Sequence, residues 1–464
     1  MVAIHTFHNH KSETDPANHP ADQVSTEMDQ NTSAGGSIES KGEKLSGDDS
    51  EIVAEELPQV APNPHADIPN GGIVAWLQVV GSFFLFFNSW GIVNMFGAFQ
   101  TFYENDLLSH ESPSNISWIG SIQAFLLLLV GVFTGPLFDA GLFRPLLCTG
   151  TFMVVFGMMM TSISTSYWQI VLAQAMCMGI GLGCLFVPSV AIVSTYFSTR
   201  KAFATGIAAS GSSLGGVLYP IIFHNLQPKI GFGWTTRALG FIFLATLSIS
   251  ISIMKMRVKP SQKRKLIDLA AFKEPPYLLF TIGLFFGFMG LNIPFYYISS
   301  YAMDDKIMNS NSAFYMLSTI NAASIFGRII PNYFADKFGP LNIIIPGTFI
   351  ASVVAFGWTG VHSVGGLVVF ALLYGFSTGC FVSIPPTIIV TLSPHMGVVG
   401  TRMGMAFAIG GLGLLIGTPV AGQILSSSGY VPTIAFCGAL LIATVAFFIA
   451  ARLSKTGMHV KKFA

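Results

Sequence analysis

Nine stretches of this chain from Gly71 onward contain no Lys, Arg, Asp or Glu at all. They are Gly71–Tyr103, Ser112–Phe138, Pro145–Thr199, Ala202–Pro228, Ala238–Met254, Pro275–Met303, Ile307–Gly327, Phe338–Thr401 and Met403–Ala451. A helix that crosses roughly 30 Å of hydrocarbon needs about 20 apolar residues at about 1.5 Å each. Three of the runs, 55, 64 and 49 residues long, must each hold two helices. Their turns are expected at Ser162–Tyr167, Val361–Gly365 and Ser426–Pro432, where polar residues, Gly and Pro gather. Six single and three double runs give twelve spans. The shortest run, Ala238–Met254, has to borrow Trp234 to Arg237 to reach across. None of the runs has the short alternating segments of a β-barrel. The expected fold class is an all-α integral membrane protein.

Composition excludes the main soluble classes. Only 10% of the residues are charged and 52% are hydrophobic, against about 25% charged in soluble domains. A net charge of +1 with no basic domain argues against a nucleic-acid partner. The five cysteines fall in apolar runs without ligand spacing and read as small buried hydrophobes. No intramembrane acid pair, His cluster or Ser/His/Asp set appears, so neither an enzyme nor a metal or cofactor site is expected. Thirteen of the 22 acidic residues precede Gly71. Residues 1–70 therefore read as a disordered acidic cytoplasmic tail.

Basic residues set the orientation. With both termini inside, the inner side collects Arg144, Arg200, Lys201, the seven basic residues from Lys255 to Lys273, Lys337, Arg402 and the four from Arg452 onward. That is 16 inside, against Lys229, Arg237 and Lys306 outside. The positive-inside rule selects this topology.

The chain also repeats itself. Gly135-Pro136-Leu137-Phe138-Asp139-Ala140-Gly141-Leu142-Phe143-Arg144 follows the second span, and Asn332-Tyr333-Phe334-Ala335-Asp336-Lys337-Phe338-Gly339 follows the eighth. The aspartates are 197 positions apart; Gly211 and Gly410, and Pro220 and Pro419, are 199 apart. The expected division is a six-helix bundle at 71–254, a basic cytoplasmic linker at 255–276, a second six-helix bundle at 277–453 and a short cytoplasmic tail at 454–464.

These two segments resemble the G-x-L-x-D-x-x-G pattern of the major facilitator superfamily, with Asn332 in place of Gly and Gly141 one place early. The resemblance implies two pseudo-symmetric six-helix bundles and a cytoplasmic gate formed by Asp139, Arg144, Arg200, Asp336 and Lys337. A narrower resemblance covers residues 70–453. Asn70-Gly71-Gly72-Ile73-Val74-Ala75-Trp76, Tyr196–Gly206 continuing to Gly216, and Gly290-Leu291-Asn292-Ile293-Pro294-Phe295-Tyr296-Tyr297 are similar to fungal monocarboxylate-transporter homologues. That family implies a secondary transporter of small organic acids or related metabolites.

Arg328 is the strongly charged side chain placed inside the hydrocarbon, about 12 Å along a helix from Asp336. The family implies that an arginine here binds a carboxylate; a helix-packing arginine near the inner interface is the alternative. In its animal branch a lysine stands where this chain has Asn94, and an aspartate where it has Ser324. Proton coupling through those two groups does not carry over. Asn94, Gln123, Asn292, Tyr296 and Asn321 complete the candidate substrate site. Asn88, Gln174 and Tyr374 are further polar candidates, each able to serve instead as an interhelical hydrogen bond. His224 reads as interfacial, and the Met and Phe stripes as packing or lipid-facing residues. Glycines of spans four and five are expected to let helices approach closely.

The expected function is secondary active transport of a small, anionic organic acid or related metabolite by alternating access, with a secondary metabolite for export as one case. The alternative is a non-transporting nutrient receptor of the same fold. The partners are that small molecule and the lipid bilayer. The plasma membrane is the expected location, a vacuolar or other organelle membrane the alternative.

Overall fold

The computed structural model describes residues 70–197, 199–257, 267–394 and 396–457. The acidic tail expected at 1–70, up to Asn70, lies outside the described residues, as do the middle of the basic linker and the last seven residues. Among the described residues all regular structure is helical. Eleven segments are long and apolar enough to span a membrane. One of them, Lys201–Ile253, is continuous only in its hydrogen bonding, because Gly231 inside it has φ 77° and ψ 167°. A side chain at that φ would clash with its own backbone, so glycine makes the turn. Two helices result, and the spans among the described residues number twelve.

In chain order they are α1 (Ile73–Leu107), α2 (Pro113–Phe138), α3 (Phe143–Thr161), α4 (Tyr167–Tyr196), α5 (201–230) and α6 (232–253). The second six are α7 (Pro275–Asp304), α8 (Ser312–Phe338), α9 (Pro340–Gly360), α10 (Val364–Leu392), α11 (Val398–Ser428) and α12 (Tyr430–Thr456). The helix of α6 starts at Phe232, so the short apolar run does take in Trp234 to Arg237. The three turns expected inside long runs fall at 162–166, 361–363 and Gly429.

Helices meet through small residues. A Cβ at Gly211 of α5 would run into the backbone of Phe83 in α1, and one at Gly216 into the Asn321 amide of α8. Between helices in lipid the hydrophobic effect offers little, so this close approach supplies the packing. The α2–α11 and α5–α8 contacts join the first six spans to the second six.

Candidate functional site

The α5 and α8 helices run antiparallel and touch along their length. At one end the Asp336 carboxylate accepts the N–H of Ala202 at 3.1 Å and of Phe203 at 3.0 Å. One turn inward, Gly206 lies against the Arg328 carbonyl and Asn332. Next, Arg328 Nη1 donates to the Ala209 carbonyl at 3.4 Å, and the Ser213 hydroxyl to Ser324 Oγ at 3.1 Å. Gly216 then faces Asn321, and at the far end His224 stacks on Phe314 with centroids 4.3 Å apart.

Arg328 is only 3% exposed. Its Nε donates to Ser324 Oγ at 3.3 Å, a partner that brings no charge. A guanidinium carries five N–H donors; two are used, and no carboxylate among the described residues pairs with it. A charge at mid-membrane costs about 2.5–3.5 kcal/mol on insertion scales, which makes an unpaired one a functional candidate.

Arg402 is the opposite case, and sequence reading placed it simply among the inner loop charges. It is 2% exposed. Its guanidinium forks onto Glu274 at 2.8 and 2.6 Å, and it also donates to Asp268 at 3.1 Å and the Leu392 carbonyl at 3.0 Å. The Tyr277 hydroxyl returns a bond to the Arg402 carbonyl at 2.7 Å. The available signal was Asp268 and Glu274 themselves, two acids just before α7 in an otherwise basic linker.

Of the other residues expected at the gate, Arg200 is exposed at the N-cap of α5 and Arg144 is exposed in the first turn of α3. Lys337 is exposed too, and donates to the Tyr333 hydroxyl at 2.8 Å rather than pairing with Asp336. Tyr333 in turn sits edge-on to Phe203, centroids 6.0 Å apart. Asp139 ends the helix that contains α2. The turns after α2 and α8 each hold a left-handed glycine, Gly141 at φ 86° and Gly339 at φ 94°. These glycines are 198 positions apart, so they, rather than the aspartates, set the register of the repeat.

At that offset the inner candidates fall into pairs. Asn94 and Asn292 are 198 apart, as are Gln123 and Asn321. The asparagines mark equivalent breaks: α1 is interrupted at Met95, just after Asn94, and α7 at Asn292. Gln123 and Asn321 are both fully buried. Neither Gln123 Nε2 nor Oε1 has a partner among the described residues, nor do Asn321 Oδ1 and Asn94 Nδ2. Buried polar atoms without partners are uncommon. By contrast, Asn88 bonds Tyr219 and Thr246, Gln174 bonds Tyr103, and Tyr374 bonds the Leu291 carbonyl. Those three are interhelical links.

Asn321 and Arg328, seven residues apart on α8, both face α5. Asn94 lies between Gly91, which touches Gly215, and Gly97, which touches Phe295 and Leu317. Tyr296 packs on Phe96 at 5.5 Å, and Phe96 on Gly120 of α2. Nearer the α5 start of the molecule, four rings close a circuit that sequence reading did not single out among 41 phenylalanines. Trp90 lies near-parallel to Phe288 at 6.0 Å, Phe288 meets Phe407 at 6.5 Å, Phe407 meets Phe186 at 5.5 Å, and Phe186 meets Trp90 at 6.1 Å. They line a cavity of about 10 Å³ that Thr205, Ala209 and Ser383 also border. Such a space holds about one water. Away from that cavity α2 is bonded to α11: Ser121 to Thr418 at 2.6 Å and Ser114 to the Pro419 carbonyl at 3.4 Å.

Comparison with known proteins adds the family. Residues 79–397 match the Major Facilitator Superfamily model. The chain is 51% identical over 359 residues to the MFS-type transporter dbaD of Emericella nidulans, covering 77% of this chain and 81% of that one. It is 40% identical to the agnestins efflux protein AgnL12 of Paecilomyces divaricatus, over 83% and 89% of the two chains. The Escherichia coli fucose:proton symporter FucP superposes with a TM-score of 0.60 at 18% identity, over 82% of this chain and 98% of that one.

Proposed function

Because this chain belongs to the major facilitator superfamily, a family of membrane transporters, we propose that it is a secondary active transporter that exports a small organic acid or related metabolite by alternating access. The observation that carries the reading is Arg328: a buried guanidinium between the two sets of six spans, with three N–H donors free of any acceptor among the described residues. A carboxylate can take two of them in parallel, and exclusion of water strengthens the pair. Asn321, Asn94, Gln123, Asn292 and Tyr296 are proposed to complete the site, the first three through amide atoms that now lack partners.

The Asp336 end is taken as cytosolic on the basic-residue asymmetry. There the bond from Asp336 to the start of α5 serves as a clamp between the halves, with Arg200 and Lys337 beside it in the chain and Asp139 and Arg144 proposed to act in the equivalent turn after α2. On this reading the Asp336 contact and the α2–α11 bonds hold the two halves together, and their release in turn exposes Arg328 to either side. Export is favoured by the relative named as an agnestins efflux protein, and the fungal monocarboxylate-transporter likeness favours an acid. The plasma membrane fits export. The test is transport in proteoliposomes of a panel of carboxylic acids against their amides. Acids should move and amides should not, and Arg328→Gln should abolish the difference; equal transport of acid and amide would sink the reading.

A further inference from the structure

We propose that Trp90, Phe186, Phe288 and Phe407 are the specificity element of this transporter and select an acid carried on a planar aromatic ring system. The proposal rests on the reading of Arg328 as the acid-binding group. Four observations lead to it. The rings come from four different spans, α1, α4, α7 and α11, two from each set of six, and each touches the next. Trp90 and Phe288 are 198 positions apart, so they are the same position in the two repeats. The contacts that cross the seam between the halves are Trp90–Phe288, near-parallel at 14°, and Phe186–Phe407, edge to face at 79°. Parting of the halves therefore uncovers aromatic faces. Finally, the cavity inside the rings is bordered by Ala209, whose carbonyl holds Arg328, and by Ser383, whose hydroxyl holds Asn332.

The cavity of about 10 Å³ admits no organic molecule in this closed arrangement. Trp90 and Phe288 stack on each other where a ligand ring would lie. Aliphatic side chains would fill the same space without preference; aromatic faces favour a flat π-system by offset stacking or edge contact. A ring bound between them would lie beside Ala209, whose carbonyl holds the guanidinium that an attached carboxylate would reach.

The decisive probes are 2-naphthoate and decalin-2-carboxylate, which share charge and carbon count and differ in flatness and π-character. Equilibrium binding to the purified full chain in nanodiscs should favour 2-naphthoate roughly tenfold, from two aromatic contacts. Trp90→Leu and Phe288→Leu should each cut that preference several-fold. Equal affinity of the two acids for the unaltered protein would overturn the aromatic selection while leaving Arg328 in place. Binding of neither acid would overturn the Arg328 reading and this one with it. If a leucine variant fails to fold, the comparison of the two acids on the unaltered protein decides by itself.

Discussion

Asp336 at the end of α8 closes the first turn of α5, its two carboxylate oxygens taking one backbone N–H each, from Ala202 and Phe203. The first N–H groups of a helix have no partner within it, and a negative charge there also meets the positive end of the helix dipole. A contact of this kind can be made and broken without disturbing either helix, which is what a clamp between two moving halves requires.

Asp336→Asn keeps an acceptor but removes the charge, at a cost of about 0.3–1 kcal/mol. We expect normal membrane delivery and a thermal midpoint close to that of the unaltered protein, with turnover reduced several-fold. Unchanged turnover in proteoliposomes would remove Asp336 from the gating step.

The two buried arginines should respond in opposite ways. Arg328→Gln removes a cation that has no counter-ion, so stability should hold or rise while acid binding is lost. Arg328→Lys keeps the charge without the fork and should weaken apparent affinity about tenfold. Arg402→Gln strands Asp268 and Glu274 and should cost roughly 2–3 kcal/mol, less than a fully buried pair because Glu274 is 45% exposed. Thermal unfolding of the three variants in detergent, beside acid binding, checks both halves of this contrast.

Gly211→Ala should destabilise by about 1–3 kcal/mol, since its methyl would meet the Phe83 backbone of α1, which cannot swing aside as a side chain could. Gly357→Ala, with open space around it, is the matched control and should be silent. A silent Gly211→Ala would mean that α1 and α5 are not held at this spacing in the membrane.

Cysteines introduced at Ser109 and Asn309 should label with impermeant reagents in intact cells, and one at Ser261 should not. Both Ser109 and Asn309 are exposed in the turns before α2 and α8. Labelling in the reverse pattern would invert the orientation and put Asp336 at the outer face.

The spans were legible because the absence of charge over twenty or more residues is a one-dimensional signal that needs no knowledge of contacts. Arg328 stood out for the same reason in reverse, as a lone charge in such a stretch. What escaped depends on which side chains meet. The repeat was measured from aspartates at 197 and from Gly and Pro at 199, and only the glycine turns at Gly141 and Gly339 fix it at 198. At that value Asn94 pairs with Asn292 and Gln123 with Asn321, a correspondence invisible while each amide was weighed alone. Arg402 looked like any loop cation because its acids arrive from the far side of the linker. The aromatic circuit was hidden by abundance, since a Phe facing lipid and a Phe facing another ring are the same letter.

One residue, Gly231, is the whole connection between α5 and α6. A loop of several residues would act as a slack tether and let one helix tilt while its neighbour stayed put. Here the pair is a bent lever: its foot is pinned at Asp336, its elbow is Gly231, and its other arm is tied through Thr246 to Asn88 of α1. If Asp336 is the proposed clamp, a swing of α5 there is handed on to α1, the span that carries both Trp90 and Asn94.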